Sequence, residues 1–156
     1  MTTRVRPVGT FDLEVVAQLH AASFEEVWGV KALAEILAMP GAFGLMAAAE
    51  AEGDACVPAA FLLARIVAED CEILSVGVAP AHRRRGLARL LMSQATEFAA
   101  ASGARRMFLE VAEDNWSARG LYASLGFAPV GRRRDYYRRT SGHAAALTMR
   151  RLLPAG

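Results

Sequence analysis

Apolar positions recur along this chain in two different periods, and the change between them marks out its elements. In residues 11–22, Leu13, Val16, Ala17 and His20 follow at three- and four-residue spacing, the repeat of one helix face, with Thr10 placed to cap the start. A second helix is predicted over 30–38, burying Leu33, Ile36 and Leu37 and ending before Pro40, which disfavours helical backbone in the residue ahead of it. The helical period then disappears. Residues 42–49, 56–68 and 71–79 are apolar runs separated by turn material, first Glu50 to Asp54 with Gly53 and then Glu69-Asp70, the pattern of an antiparallel meander.

The third run ends at Ala79-Pro80-Ala81-His82-Arg83-Arg84-Arg85-Gly86, and a helix follows in which Leu87, Leu90, Leu91, Ala95 and Phe98 share a face and Gly103 closes the C-terminus. A short strand over 107–112 comes next. Asp114 or Asn115 then caps a helix lined by Ala118, Leu121, Tyr122 and Leu125 and ended by Gly126, and strand-like segments at about 127–133 and 144–152 complete the order. The strand, helix and strand of 71–112 form a crossover that makes its two strands parallel, so the sheet is mixed. The expected fold class is α/β, one layered domain over 1–156 with a central mixed, partly splayed sheet flanked by helices.

Composition narrows the picture. At 156 residues and 54% hydrophobic content the chain has material for one core, and no apolar run reaches the roughly 18 residues of a membrane helix. Residues 1–10 carry no apolar leader core, so the expectation is a soluble protein of the cytoplasm. Cys56 and Cys71 lie in apolar stretches and are expected to be inert core thiols; with His20, His82 and His143 scattered, no metal site is expected. The net charge is +2, yet residues 1–75 hold four basic and eleven acidic side chains and residues 76–156 fourteen basic and five acidic. The second half is therefore the one suited to an anion.

That charge gathers where chemistry predicts an anion seat. Arg83-Arg84-Arg85-Gly86-Leu87-Ala88 joins a strand to a helix N-terminus, where backbone N–H groups lack intrahelical partners and the dipole is positive. Gly86 permits close backbone approach, and Ala88 keeps the first turn slim. The pattern resembles the acetyl-CoA loop of the GNAT acetyltransferases, Gln/Arg-x-x-Gly-x-Gly/Ala, through Arg83, Gly86 and Ala88. The preceding Ile73-Leu74-Ser75-Val76-Gly77-Val78 is similar to the family strand that pairs with the pantetheine arm. The resemblance implies acetyl-CoA as cosubstrate, held by Val76, Val78, Arg83, Arg84, Arg85, Gly86, Leu87 and Ala88. No Gly-x-Gly-x-x-Gly and no Walker sequence competes with it, and Lys31 is the chain's only lysine.

A second segment, Asn115-x-x-Ala118-x-x-Leu121-Tyr122-x-x-x-Gly126-Phe127, resembles the family's Asn-x-x-Ala-x-x-Leu-Tyr-x-x-x-Gly-Phe stretch. It implies Asn115 as a cofactor contact and Tyr122 as the general acid that protonates the departing thiolate. Glu110, an acid within the apolar strand 107–112, has a cost unless it faces a wet cleft. Leu109-Glu110-Val111 resembles the RimI group, ribosomal-protein-alanine N-acetyltransferases, which implies Glu110 as base for an amine, directly or through water. An α-amine, with a pKa of about 8 against about 10.4 for lysine, makes that a mild demand.

The Arg134-Asp135-Tyr136-Tyr137-Arg138-Arg139 segment is similar to the Tyr-Tyr loop that closes over peptide substrates in that group, making Tyr136 and Tyr137 candidate peptide contacts. Phe24-Glu25-Glu26-Val27-Trp28 is similar to its first interhelical turn, with Trp28 bordering the acceptor pocket. The chain departs from the group in having Arg83 where glutamine is common and His143-Ala144-Ala145-Ala146 where an acidic residue precedes the last strand. The acceptor implied is a protein N-terminus, possible partners including a ribosomal protein. A small-molecule amine is the alternative, and a non-catalytic RNA-binding module the other. Direct nucleic-acid binding is not expected, because the arginine cluster already has a phosphate role. Both monomer and homodimer remain open.

Overall fold

The structure, a computed structural model, describes residues 3–24, 26, 28–50, 56–139 and 142–154, with the backbone alone for 135, 137–139, 142 and 143. Glu25, Val27 and most of the Glu50 to Asp54 turn lie outside the described residues. The elements are β1 (Thr3–Pro7), α1 (Leu13–Ser23), α2 (Val30–Ala38), β2 (Ala42–Glu50), β3 (Cys56–Val67), β4 (Asp70–Val78), α3 (Leu87–Ala101), β5 (Arg106–Ala112), α4 (Trp116–Ser124), β6 (Ala128–Arg139) and β7 (Gly142–Leu152). The strands form one sheet in the order β1-β2-β3-β4-β5-β7-β6, with β4 and β5 parallel and the other pairs antiparallel.

The crossover expected from 71–112 is present: α3 carries the chain from β4 over to β5, which is what lets them run parallel. Strand β3 sits deep in the sheet, and Ala59 to Ala64 are all 0% exposed. Burial on both faces explains why that run shows no alternation. One apolar cluster joins Leu62, Met107, Leu109 and Leu147 to Leu91, Met92, Ala95 and Tyr122 on α3 and α4. A second joins Met46, Phe61 and Leu63 to Val16, Leu19 and Leu33 on α1 and α2. Each fully buried Leu or Phe contributes about 1.5–3 kcal/mol, so the two clusters hold two helix pairs on opposite faces.

Several expectations are corrected. Strand β1 was absent from the pattern; its single apolar side chain, Val5, is partly buried between exposed Arg4 and Arg6, as a short charged edge strand requires. Thr10 does not cap α1. It opens a 3-10 turn through Asp12 whose start is tied by the Gly9 amide donating to the Asp12 carboxylate at 2.7 Å. Arg6 donates to the same carboxylate, and together they hold Asp12 down at about 2. Cys56, at the start of β3, is exposed, and only Cys71 is buried, its thiol pushed up to about 12 by desolvation. Phe98 is half exposed and lies against Phe43 at 4.6 Å instead of entering the core.

Candidate active site

Strands β4 and β5 pair only from Asp70 opposite Arg106 to Ile73 opposite Leu109. On the other side of β4, Ser75 faces Leu63 and Ile73 faces Ala64, so Leu74 is an extra, bulged residue. A bulge bends the strand that carries it. The bend coincides with the end of pairing, and beyond it Ser75 to Val78 of β4 and Glu110 to Ala112 of β5 part into a cleft at the carboxyl ends of two parallel strands. That is where ligands of α/β sheets bind.

The loop and helix following β4 overhang this cleft. Arg84 and Gly86 have φ of 64° and 77°, both left-handed. For arginine that conformation costs on the order of 1 kcal/mol, a strain loops hold where backbone amides must be aimed. Gly86 is the N-cap of α3 and no side chain caps it, so the first amides of α3 face outward without a side-chain partner. A Cβ built on Gly86 meets nothing within 4 Å, which leaves the approach open. Arg83 turns inward and donates from Nε to the Val78 carbonyl at 3.2 Å, bracing the loop on the strand end. Arg85 lies 3.4 Å from His82 Nδ1. These features form an anion cradle of backbone amides ringed by guanidinium groups, the chemistry a diphosphate needs. Leu87 is buried beneath it and Ala88 is partly buried.

Val76 and Val78 lie in the stretch of β4 that pairs with β3 but not with β5, partly buried against the α3-side core. Asn115 caps α4, accepting from the Ala118 amide at 3.2 Å, a structural task its residue type already explains. Tyr122, 7% exposed, packs its ring 6.0 Å from Phe127. Glu110 is on the opposite face from Leu109 and Val111, and its neighbours across the wing are Thr148 and, beyond it, Gly131. It is 24% exposed, so the charge is in contact with water, and Arg133 Nε lies 3.5 Å from its Oε1.

Trp28 is partly buried over the α1–α2 face and stacks on His20 at 4.6 Å and 18°. His20 is 2% exposed, its Nδ1 has no hydrogen-bond partner among the described residues, and burial pushes its pKa down. The Tyr136-Tyr137 segment is not a loop, because β6 runs on through Arg139. Three residues, Arg134 to Tyr136, bulge between the pairs Arg133 with Ala146 and Tyr137 with Ala144. Tyr136 is 49% exposed beneath the Arg133 guanidinium, 5.2 Å from ring centre to Cζ. The side chains of Tyr137 and His143 lie outside the described residues. Two features escaped the residue pattern, the Arg133–Glu110 pair and the His20–Trp28 stack; the Glu110 position opposite Thr148 is set by strand register, which spacing alone does not fix.

Among the described residues no helix is long and apolar enough to cross a membrane. The family description "Acetyltransferase (GNAT) family" matches residues 13–127. The ribosomal protein bS18-alanine N-acetyltransferase of Salmonella typhimurium is 35% identical over 91 residues, 58% of this chain and 62% of that protein, so the match spans about three fifths of the relative's length. A Bacillus subtilis relative, provisionally assigned the same activity, is 32% identical over 134 residues, 85% of each chain. The crystal structure of the ribosomal-protein-S18-alanine N-acetyltransferase of Escherichia coli superposes with a TM-score of 0.88 at 26% identity, covering 99% of this chain and 97% of that one.

Proposed function

The chain belongs to the GNAT acetyltransferase family, and from that premise we propose that it transfers the acetyl group of acetyl-CoA to the N-terminal α-amine of a protein, a ribosomal protein among the candidate acceptors. The observation that carries the reading is the parting of β4 from β5 at Leu74 beside an uncapped helix start with Gly86 left-handed. It offers one seat for a diphosphate and one adjoining slot for an extended thiol arm. The relatives above, named for α-amine acetylation, supply the acceptor.

In this reading the amides of residues 84–88 and the Arg84 and Arg85 guanidinium groups hold the pyrophosphate, while Val76 and Val78 line the arm and Asn115 fixes its far side. The cosubstrate supplies an acyl group activated as a thioester. Glu110 takes the proton of the α-amine as it attacks, and Tyr122 gives its phenolic proton to the sulfur that leaves, so charge does not build up on the nitrogen or the sulfur; the Tyr122 phenolate and the protonated Glu110 left behind are reset by proton exchange with solvent. Its 24% exposure leaves Glu110 room to act directly or through one water. Trp28 on α2's approach and Tyr136 on β6 border the acceptor, and Tyr137 is assigned beside it. The place of action is the cytoplasm, where acetyl-CoA and nascent N-termini meet.

The test is incubation with acetyl-CoA and two panels, peptides with free N-termini and small amines, read by thiol release and by mass spectrometry of the acceptors. Acetyl appearing on peptide α-amines is the expected result. Turnover restricted to the small amines overturns the acceptor assignment.

A further inference from the structure

A packed column of rings joins the cofactor strand to the acceptor wall, and His20 stands at its centre. Its imidazole lies 4.6 Å from the Trp28 ring at 18°, 4.7 Å from Phe24 and 5.8 Å from Phe61. Phe61 is paired with Gly77, the residue between Val76 and Val78 on β4. A Cβ built on Gly77 falls 2.7 Å from Phe61 Cε1 and 2.9 Å from Ser23 Oγ, so only glycine leaves room for the ring on the strand. Ser23 Oγ also lies 3.4 Å from the Val78 carbonyl and ties the end of α1 to the end of β4. The order Gly77, Phe61, His20, Trp28 therefore leads from the slot for the thiol arm to the wall beside the acceptor.

This column is on the face of the sheet that the base uses. Leu109 and Val111 pack in the α3-side cluster, so Glu110 is on the opposite face, where Phe61 joins α1 and α2. His20 itself is 2% exposed, too deep to touch an acceptor. Its Nδ1 has no hydrogen-bond partner among the described residues, so no bond through that nitrogen sets the ring's plane, and the rings against it do. Burial lowers its pKa against the pull of Glu26, the charged side chain that acts on it among the described residues, so the imidazole meets Trp28 uncharged at neutral pH. A buried nitrogen without a partner is unfavourable, and a leucine fills similar space without it. What leucine lacks is a flat face for the indole.

We propose that His20 is a positioning residue for the acceptor, a flat spacer on Phe61 that fixes the plane and height of the Trp28 indole and so the wall against which the amine-bearing end of the substrate is held. This rests on the acetyltransferase reading above, in which Trp28 borders the acceptor, and holds for a peptide or a small amine alike. Because His20 acts through Trp28, its loss weakens the hold on the acceptor and leaves the proton transfers at Glu110 and Tyr122 and the diphosphate seat in place.

The experiment is steady-state kinetics with acetyl-CoA and a peptide bearing a free N-terminal alanine. It compares the wild-type chain with His20→Leu, His20→Phe, Trp28→Ala and the double variant Trp28→Ala/His20→Leu, each with a melting curve, and His20→Met replaces His20→Leu if the latter does not fold. His20→Leu is expected to raise the acceptor KM about three- to tenfold, the size of one lost aromatic stack, with kcat and the acetyl-CoA KM within about twofold of wild type. His20→Phe keeps a flat ring and is expected to stay within about twofold in all three. In the Trp28→Ala background the leucine substitution should change the acceptor KM by less than about twofold, because the indole it positions is gone. An unchanged acceptor KM in folded His20→Leu, parallel losses in kcat and both KM values, or full additivity with Trp28→Ala overturns the assignment. Turnover of small amines alone removes the peptide acceptor, and the same variants are then read on that amine with the same outcomes. No turnover of any amine by the wild type removes the acetyltransferase reading and this one together.

Discussion

Replacing Glu110 by Gln keeps the shape of the side chain and removes its capacity to take a proton. Two effects follow, and the structure separates their sizes. The ion pair with Arg133 is long, at 3.5 Å, and joins side chains 24% and 61% exposed, so its loss is a surface effect of less than about 1 kcal/mol. For a chain of this length that lowers the melting temperature by no more than about 4 °C. Loss of a general base is far larger, roughly 100- to 10,000-fold in turnover, or about 3–5 kcal/mol in the barrier. Thiol release at saturating acetyl-CoA, with kcat and KM separated and a melting curve on the same sample, reads both. The expected outcome is a fall in kcat of at least about 100-fold with acetyl-CoA affinity and fold retained. The residual rate should climb as pH rises toward about 8, because solution then deprotonates the amine that Gln cannot. A well-folded Glu110→Gln protein with kcat within about fivefold of wild type refutes the proton-acceptor role.

Tyr122→Phe should lower kcat by more than tenfold while leaving calorimetric CoA affinity unchanged, since the ring packing against Phe127 survives and the phenolic hydroxyl with its proton is removed; a normal kcat excludes it from the chemistry. Two glycines make an internal control. Gly86→Ala adds a Cβ that touches no protein atom but sits at φ of 77°, so about 1 kcal/mol of stability is lost and CoA binding weakens several-fold in calorimetry. Gly77→Ala puts a Cβ 2.7 Å from Phe61 Cε1 and 2.9 Å from Ser23 Oγ, so it costs about 1–3 kcal/mol of stability in a urea melt. His20 has a folded pKa below its unfolded value of about 6.5, because burial disfavours its charged form. Its contribution to stability is therefore present above about pH 6.5 and lost as pH falls through the folded value. Urea midpoints followed by tryptophan fluorescence between pH 7.5 and 5 should show that decline, and His20→Leu should flatten it.

What could be seen in the residues, and what could not, has a physical basis. The loop at 83–88 was legible because an apolar strand, an arginine run, a glycine and a helical period follow each other within a few residues, and the structure has Gly86 left-handed at that point. The βαβ crossover and the mixed sheet were legible through the same change of period. The bulge at Leu74 was not, since leucine has no preference that marks it and the extra residue shows only against the partner strand. Strand β1 offered one apolar position, too little for a period-two signal. The length of β6 was hidden by Pro129, Gly131 and its arginines, which read as turn and surface, while pairing with β7 overrides them. Glu110 stood out as a charge in an apolar strand, yet its partner Arg133 comes from another strand, and only register brings the two together.

The most direct test of the account is a calorimetric titration of the folded chain with acetyl-CoA. One site per chain, displaced by CoA and weakened in Gly86→Ala, is the predicted result. Absence of any heat of association with well-folded protein would contradict the proposal that the amides at 84–88 hold a diphosphate and aim a thioester into the cleft between β4 and β5.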